Sequence, residues 1–217
     1  MDQQALAHGR SDTDKGLQFS IADYPIGVAA AAVARGDDVA LSSPDVPELI
    51  VVPAHREYYG EAAPWQEVAG RGDSAVKTTL LPPGRVHSLT ATARGKSLDD
   101  LLWMLAATAS RGRLADDLSR MDVFRLIRWP NATRLVLTHD EIRMAVLLSR
   151  YPSSIAVAAG HLRLGREVVN RFVTAAWCAG LAEPVNRAVP LPDVAPARRG
   201  TLMSALLEMF RKRQGAS

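Results

Sequence analysis

A chain of 217 residues with 47% hydrophobic side chains is long enough for one large domain or two small ones around a real core. Its longest predominantly apolar runs, Ile26 to Ala34 and Leu101 to Ala109, fall far short of the roughly 20 residues a spanning helix needs, which excludes a bilayer-crossing helix built on them. The single cysteine, Cys178, allows neither a disulfide framework nor a cysteine-based metal site, and reads as a small buried residue on an alanine-rich helix.

The polar stretch 1–16 reads as a disordered leader of a cytoplasmic protein. The formal charge of +3 is unevenly placed: residues 163–217 carry nine Lys and Arg against four Asp and Glu, so the C-terminal quarter favours an anionic partner. Residues 17–94 read as a small α/β or α+β unit: a short strand at Leu17–Ile21, an alanine-rich helix at Ile26–Ala34 and a buried strand at Glu48–Pro53. The Gly- and Pro-rich stretch from Tyr58 to Arg85 reads as loop-rich, with an edge strand at Ala75–Leu81 closed by Pro82-Pro83-Gly84.

Residues 95–134 form a linking helix and a connector. Ser97 caps the helix, Asp99 and Asp100 lie in its first turn, and Leu98, Leu101, Leu102, Leu105 and Ala106 make its stripe. The connector from Met121 to Leu135 fits helix or strand, with a turn at Pro130-Asn131. Thr138-His139-Asp140-Glu141 is a capping box, so a helix starts there and ends near Tyr151-Pro152. Ser153 or Ser154 caps a short second helix with Ile155, Ala158, Ala159 and Leu162 inward. Arg163-Leu164-Gly165 is the joint, and a third helix runs from Arg166 to about Ala179 before Gly180. Val169, Phe172, Val173 and Ala176 occupy one face of that helix; Arg166, Glu167, Asn170, Arg171 and Thr174 occupy the other.

These three segments, with the Ala179-Gly180-Leu181 that follows, resemble the winged helix-turn-helix of bacterial regulators over residues 138–192, within a domain read as 135–192. The resemblance implies an α+β chain with a wing from Leu181 to Pro192 turning at Asn186-Arg187. It also implies a third helix that enters the DNA major groove with Arg166, Asn170, Arg171 and Thr174 toward the duplex, while Arg163 and Arg187 hold phosphate. A regulator reading a palindrome would be a homodimer. Val157 and Trp177, apolar where such helices usually present polar groups, instead suggest a second buried surface, and with it an adaptor that binds a protein partner. Both readings stand on the sequence.

Residues 193–217 are a Pro-rich linker and a basic amphipathic helix. Leu202, Leu206 and Phe210 face one way and Arg211, Lys212 and Arg213 end it, which suits docking, pairing with a partner, or contact with an anionic membrane surface. The five histidines lack ligand spacing and no catalytic constellation can be picked out, so the reading is of a non-enzyme with no cofactor.

Overall fold

The computed structural model describes residues 17–72 and 76–187. Strand β1 (Gln18–Phe19) and helix α1 (Pro25–Arg35) come first, with Pro25 at the first helical position, where its missing N–H is harmless, and Gly36 closing the helix at φ 72°. Then β2 (Val39–Ser43), β3 (Val46–Val52) and β4 (Glu57–Tyr59) form an antiparallel meander, followed by the short α2 (Trp65–Ala69). Strand β5 (Lys77–Leu80) pairs with β2, α3 (Pro83–Thr92) follows, and β6 (Lys96–Ser97) pairs with β4. The sheet order is β5-β2-β3-β4-β6, with the expected edge strand at one end.

The two-residue period of a strand sorts its side chains between two layers. Val39, Leu41, Leu49, Val51 and Tyr58 join the main core, while Ala40, Ile50, Val52 and Tyr59 turn to the opposite face, where Leu81 and Val86 cover them. The stretch expected to be loop-rich therefore contains β4, α2 and the start of α3. Trp65 explains why so short a helix as α2 persists: its ring is wholly buried and its Nε1 donates to Pro47 O at 2.8 Å.

Helix α4 (Leu98–Ser110) is the centre of the molecule. Ser97 caps it, as expected, accepting from Asp100 N. It packs against α1 and α2 on one side and against the helix at Arg166–Cys178 on the other. It is followed by β7 (Leu114–Ala115), which pairs in parallel with β1, and by β8 (Val123–Leu126), which settles the connector as strand.

The chain closes with α5 (His139–Arg150), β9 (Ser153–Ser154), α6 (Ile155–Leu162), α7 (Arg166–Cys178) and β10 (Ala182–Pro184). Both halves of the expected capping box are made at Thr138 and Glu141. Ser154 caps α6 and buries Ile155, Ala158, Ala159 and Leu162, the four residues the spacing selects. Arg163, in the joint, adopts φ 55°, a left-handed conformation more usual for glycine.

Two expectations are corrected. Residues 17–94 and the helical segment from residue 135 onward are not separate cores: one hydrophobic cluster runs from Phe19 through α4 to Ala182. The first part of the expected wing pairs elsewhere in the chain, and residues 188–192 of that wing lie outside the described residues. Strand β10 pairs with β8, which precedes α5 in the chain, giving the three-stranded order β10-β8-β9. Asn186 is not a free turn residue: its Oδ1 accepts from Val123 N at 2.8 Å and its Nδ2 donates to Met121 O at 2.9 Å, locking the end of β10 beside β8. The described residues up to Asn186 form one compact unit, and Arg187 falls outside it. The tail residues Leu202, Leu206, Phe210, Arg211, Lys212 and Arg213, and Pro192 of the wing, lie outside the described residues. No described helix is long and apolar enough to cross a membrane.

Candidate functional site

Helix α7 is wrapped on two sides. Val169, Phe172, Val173 and Ala176 face the core as their spacing dictates, and Phe172 meets Trp103 of α4 edge to face, with centroids 5.3 Å apart. The opposite face is covered too, by the turn from α4 into β7. Gly112 lies at φ 83°, and a Cβ there would come within 2.7 Å of Glu167 Cβ, so only glycine lets the turn approach so closely.

That approach corrects the exposure expected of two candidate DNA contacts. Asn170 is 4% exposed, and its Nδ2 donates to Gly112 O at 3.0 Å. Thr174 is fully buried, and its Oγ1 accepts from Ala115 N at 3.2 Å. Both are polar because the backbone around Gly112 and Ala115 needs partners inside the protein, where an unmet backbone group is costly. These two side chains are thus spent on fastening the turn.

Arg171 is engaged differently. Its guanidinium donates to Glu141 Oε1 at 2.9 Å, while Glu141 Oε2 accepts from Thr138 N at 2.8 Å. The carboxylate, nearly buried, thus completes the α5 cap and ties α7 to α5. Arg163 and Arg166 are exposed at the α6–α7 joint, and Arg187 is exposed outside the compact unit. Trp177 packs partly against the core, so its apolar character needs no external partner. Burial, with a smaller push from Asp117, raises the Cys178 thiol to about 12. Among the described residues no group of three or more metal-binding side chains is assembled.

Exposed apolar side chains occur on several elements, Leu80, Met121, Trp129 and Val136 among them, and α5 and α6 contribute a further group. Ile142, Val146 and Tyr151 stand in solvent along α5, and Val157 of α6 is 59% exposed. Ile142, Val146, Leu147, Tyr151 and Leu162 floor a groove of about 280 Å³ between the two helices. Arg143, Arg150 and His161 are in its lining, with no carboxylate among the lining residues. Arg143 is held by Asp140 at 3.1 Å and by Leu162 O at 2.8 Å, whereas Arg150 makes no ion pair among the described residues. Ile142 and Val146 fall within the helix that the Thr138 capping box starts, but the box does not fix which way they face. Their i, i+4 spacing with Tyr151 beyond them was the available signal, separate from the inward Ala145 and Leu148.

Comparison of the chain with protein-family models, curated proteins and solved structures finds no match.

Proposed function

We propose that this chain is a protein-binding adaptor whose helix-turn-helix is built into its own core and whose partner-facing surface is the α5–α6 groove. The observation that carries this reading is the inversion of α7: Asn170 and Thr174, the polar side chains a groove-reading helix would turn outward, are buried on backbone groups near Gly112. The order α5, β9, α6, α7, β10 supports a winged-helix ancestry in which β10 pairs with β8. The absence of carboxylates from the groove lining suits a partner helix with an apolar stripe flanked by Asp and Glu.

A second reading keeps nucleic acid as the partner. It is favoured by one observation, the exposure of Arg163 and Arg166 side by side at the α6–α7 joint, where they could hold phosphate without reading bases. The two readings separate in one pair of experiments. A photo-crosslinker in place of Val146, with the same crosslinker at Arg166 as reference, is expected to give a discrete polypeptide adduct from position 146 alone, lost on Ile142→Asp. A fluorescence titration of a DNA duplex at rising salt is expected to show no binding. Steep salt-dependent binding that falls in Arg163→Ala and Arg166→Ala would replace the adaptor with a DNA-backbone binder.

A further inference from the structure

A second, unrelated concavity lies where α4 begins. Tyr58 of β4, Asp100 and Leu101 of α4, and Arg134 and Val136 of the segment before α5 line a cleft of about 510 Å³. Next to it Arg94, Lys96 and Ser97, with Tyr58, Asp100 and Arg134 again, line a second hollow of about 380 Å³. The three shared residues make the two hollows neighbours, and each falls in the size range of small-molecule pockets.

The two ends differ in chemistry. The smaller end brings three cations to one carboxylate. Lys96 is already matched by Glu61 at 3.1 Å and by Gly60 O at 2.9 Å, but Arg94 has no acidic partner among the described residues. Arg134 stands 3.8 Å from Asp100, too far for a hydrogen bond. The neighbouring carboxylate, Asp99, cannot neutralise either guanidinium, because it already holds Arg56 and Arg128. The hydroxyls of Tyr58 and Ser97 lie in the same lining.

The larger end is mixed, with Gln66, Thr138 and Glu141 beside its apolar side chains. Leu101, Trp103, Met104, Leu135 and Val136 contribute to it, and Val136 is fully exposed at the mouth with nothing of the described chain over it. Arg171 lines this end as well, and its Nε–H is buried without an acceptor. Desolvation raises the carboxyl of Asp100 and the phenol of Tyr58, which marks the junction of the two ends as partly withdrawn from water even without an occupant.

We infer that this cleft binds a small amphiphilic oxyanion, its carboxylate or phosphate head on Arg94 and Arg134 and its apolar body along Leu101, Met104 and Leu135. Guanidinium groups match both head groups bidentately, and an apolar body covers surface that the chain leaves open. The site shares no residue with the α5–α6 groove, so the inference stands independently of the adaptor reading.

The experiment uses the full chain and the fluorescent probe 1-anilinonaphthalene-8-sulfonate, an aromatic sulfonate. Saturable enhancement is expected, displaced by octyl phosphate or by octanoate but not by octanol or inorganic phosphate at equal concentration. The better competitor of the two anions identifies the preferred head. Arg94→Ala with Arg134→Ala is expected to weaken the probe at least ten-fold, and Arg94→Ala alone, at an exposed position that stabilises nothing else, several-fold. Val146→Asp is expected to leave it unchanged, which separates this site from the α5–α6 groove. Equal displacement by octanol, unaltered binding in both arginine variants, loss in Val146→Asp, or no saturable binding would each overturn the inference.

Discussion

Helices α5 and α7 are nearly equal in length, 12 and 13 residues, and both carry mixed polar and apolar faces. They meet opposite fates. Helix α7 has neighbours on both faces, so that even Asn170 and Thr174 are buried, while α5 leaves Ile142 and Val146 in solvent. What separates them is the third layer. Helix α4 and the turn at Gly112 close over α7 and supply backbone partners for its polar groups, and no described segment does so for the outer face of α5. Polarity of a side chain therefore states what it must be paired with, and the pairing can be inside as readily as outside.

The contrast can be broken from its strong side first. Phe172→Ala removes a wholly buried ring set edge to face against Trp103 and is expected to cost about 3–5 kcal/mol in urea unfolding. A loss below about 1 kcal/mol would mean that α4 and α7 are not clamped together. Gly112→Ala tests the closure over α7. The positive φ alone costs roughly 1–2 kcal/mol, and the 2.7 Å approach to Glu167 adds to it, so thermal unfolding should shift down by several degrees. Glu141→Ala removes the acceptor of the α5 cap and of Arg171 together and should destabilise by about 1–2 kcal/mol. On the open side, Val146→Asp should leave the unfolding midpoint within about 0.5 kcal/mol of the parent.

Cys178 sharpens the contrast through pH. A thiol raised to about 12 stays protonated in the folded chain where an unfolded one, near 9, has ionised. The unfolded state then binds fewer protons, so this group's contribution to stability is present below pH 9 and is lost as pH rises toward 12. Reaction of Cys178 with a disulfide reagent at pH 8 should be slow and should speed up on denaturation. Rapid labelling of the native chain would show that the α7 C-terminus is open.

Local signals were legible in the sequence. The capping box at Thr138, the cap at Ser97, the four inward residues of α6 and the joint at Arg163 all follow from side chains a few positions apart, and all occur as the spacing indicates. The edge strand before Pro82 was equally readable. Pairings distant in sequence were not. Nothing near Asn170 announces that its acceptor is Gly112, 58 residues earlier, and nothing in Leu181–Asn186 announces that its strand partner is Val123–Leu126. A hydrophilic residue on a helix looks the same in sequence whether its hydrogen bond goes to water or to buried backbone. The cleft at α4 was hidden for a related reason: Tyr58, Arg94, Asp100 and Arg134 converge only through the sheet and the segment that precedes α5.

The central claim, that α7 faces inward and α5–α6 outward, is tested most directly by cysteine accessibility. In a Cys178→Ser background, Val157→Cys and Thr174→Cys differ only in where the thiol sits, one on the open face of α6 and one beneath Ala115. Labelling of the folded chain by a maleimide should be rapid for Val157→Cys and limited by unfolding for Thr174→Cys, with the two rates converging in denaturant. Comparable rapid labelling of both in the native chain, with the Thr174→Cys variant still folded, would contradict the account.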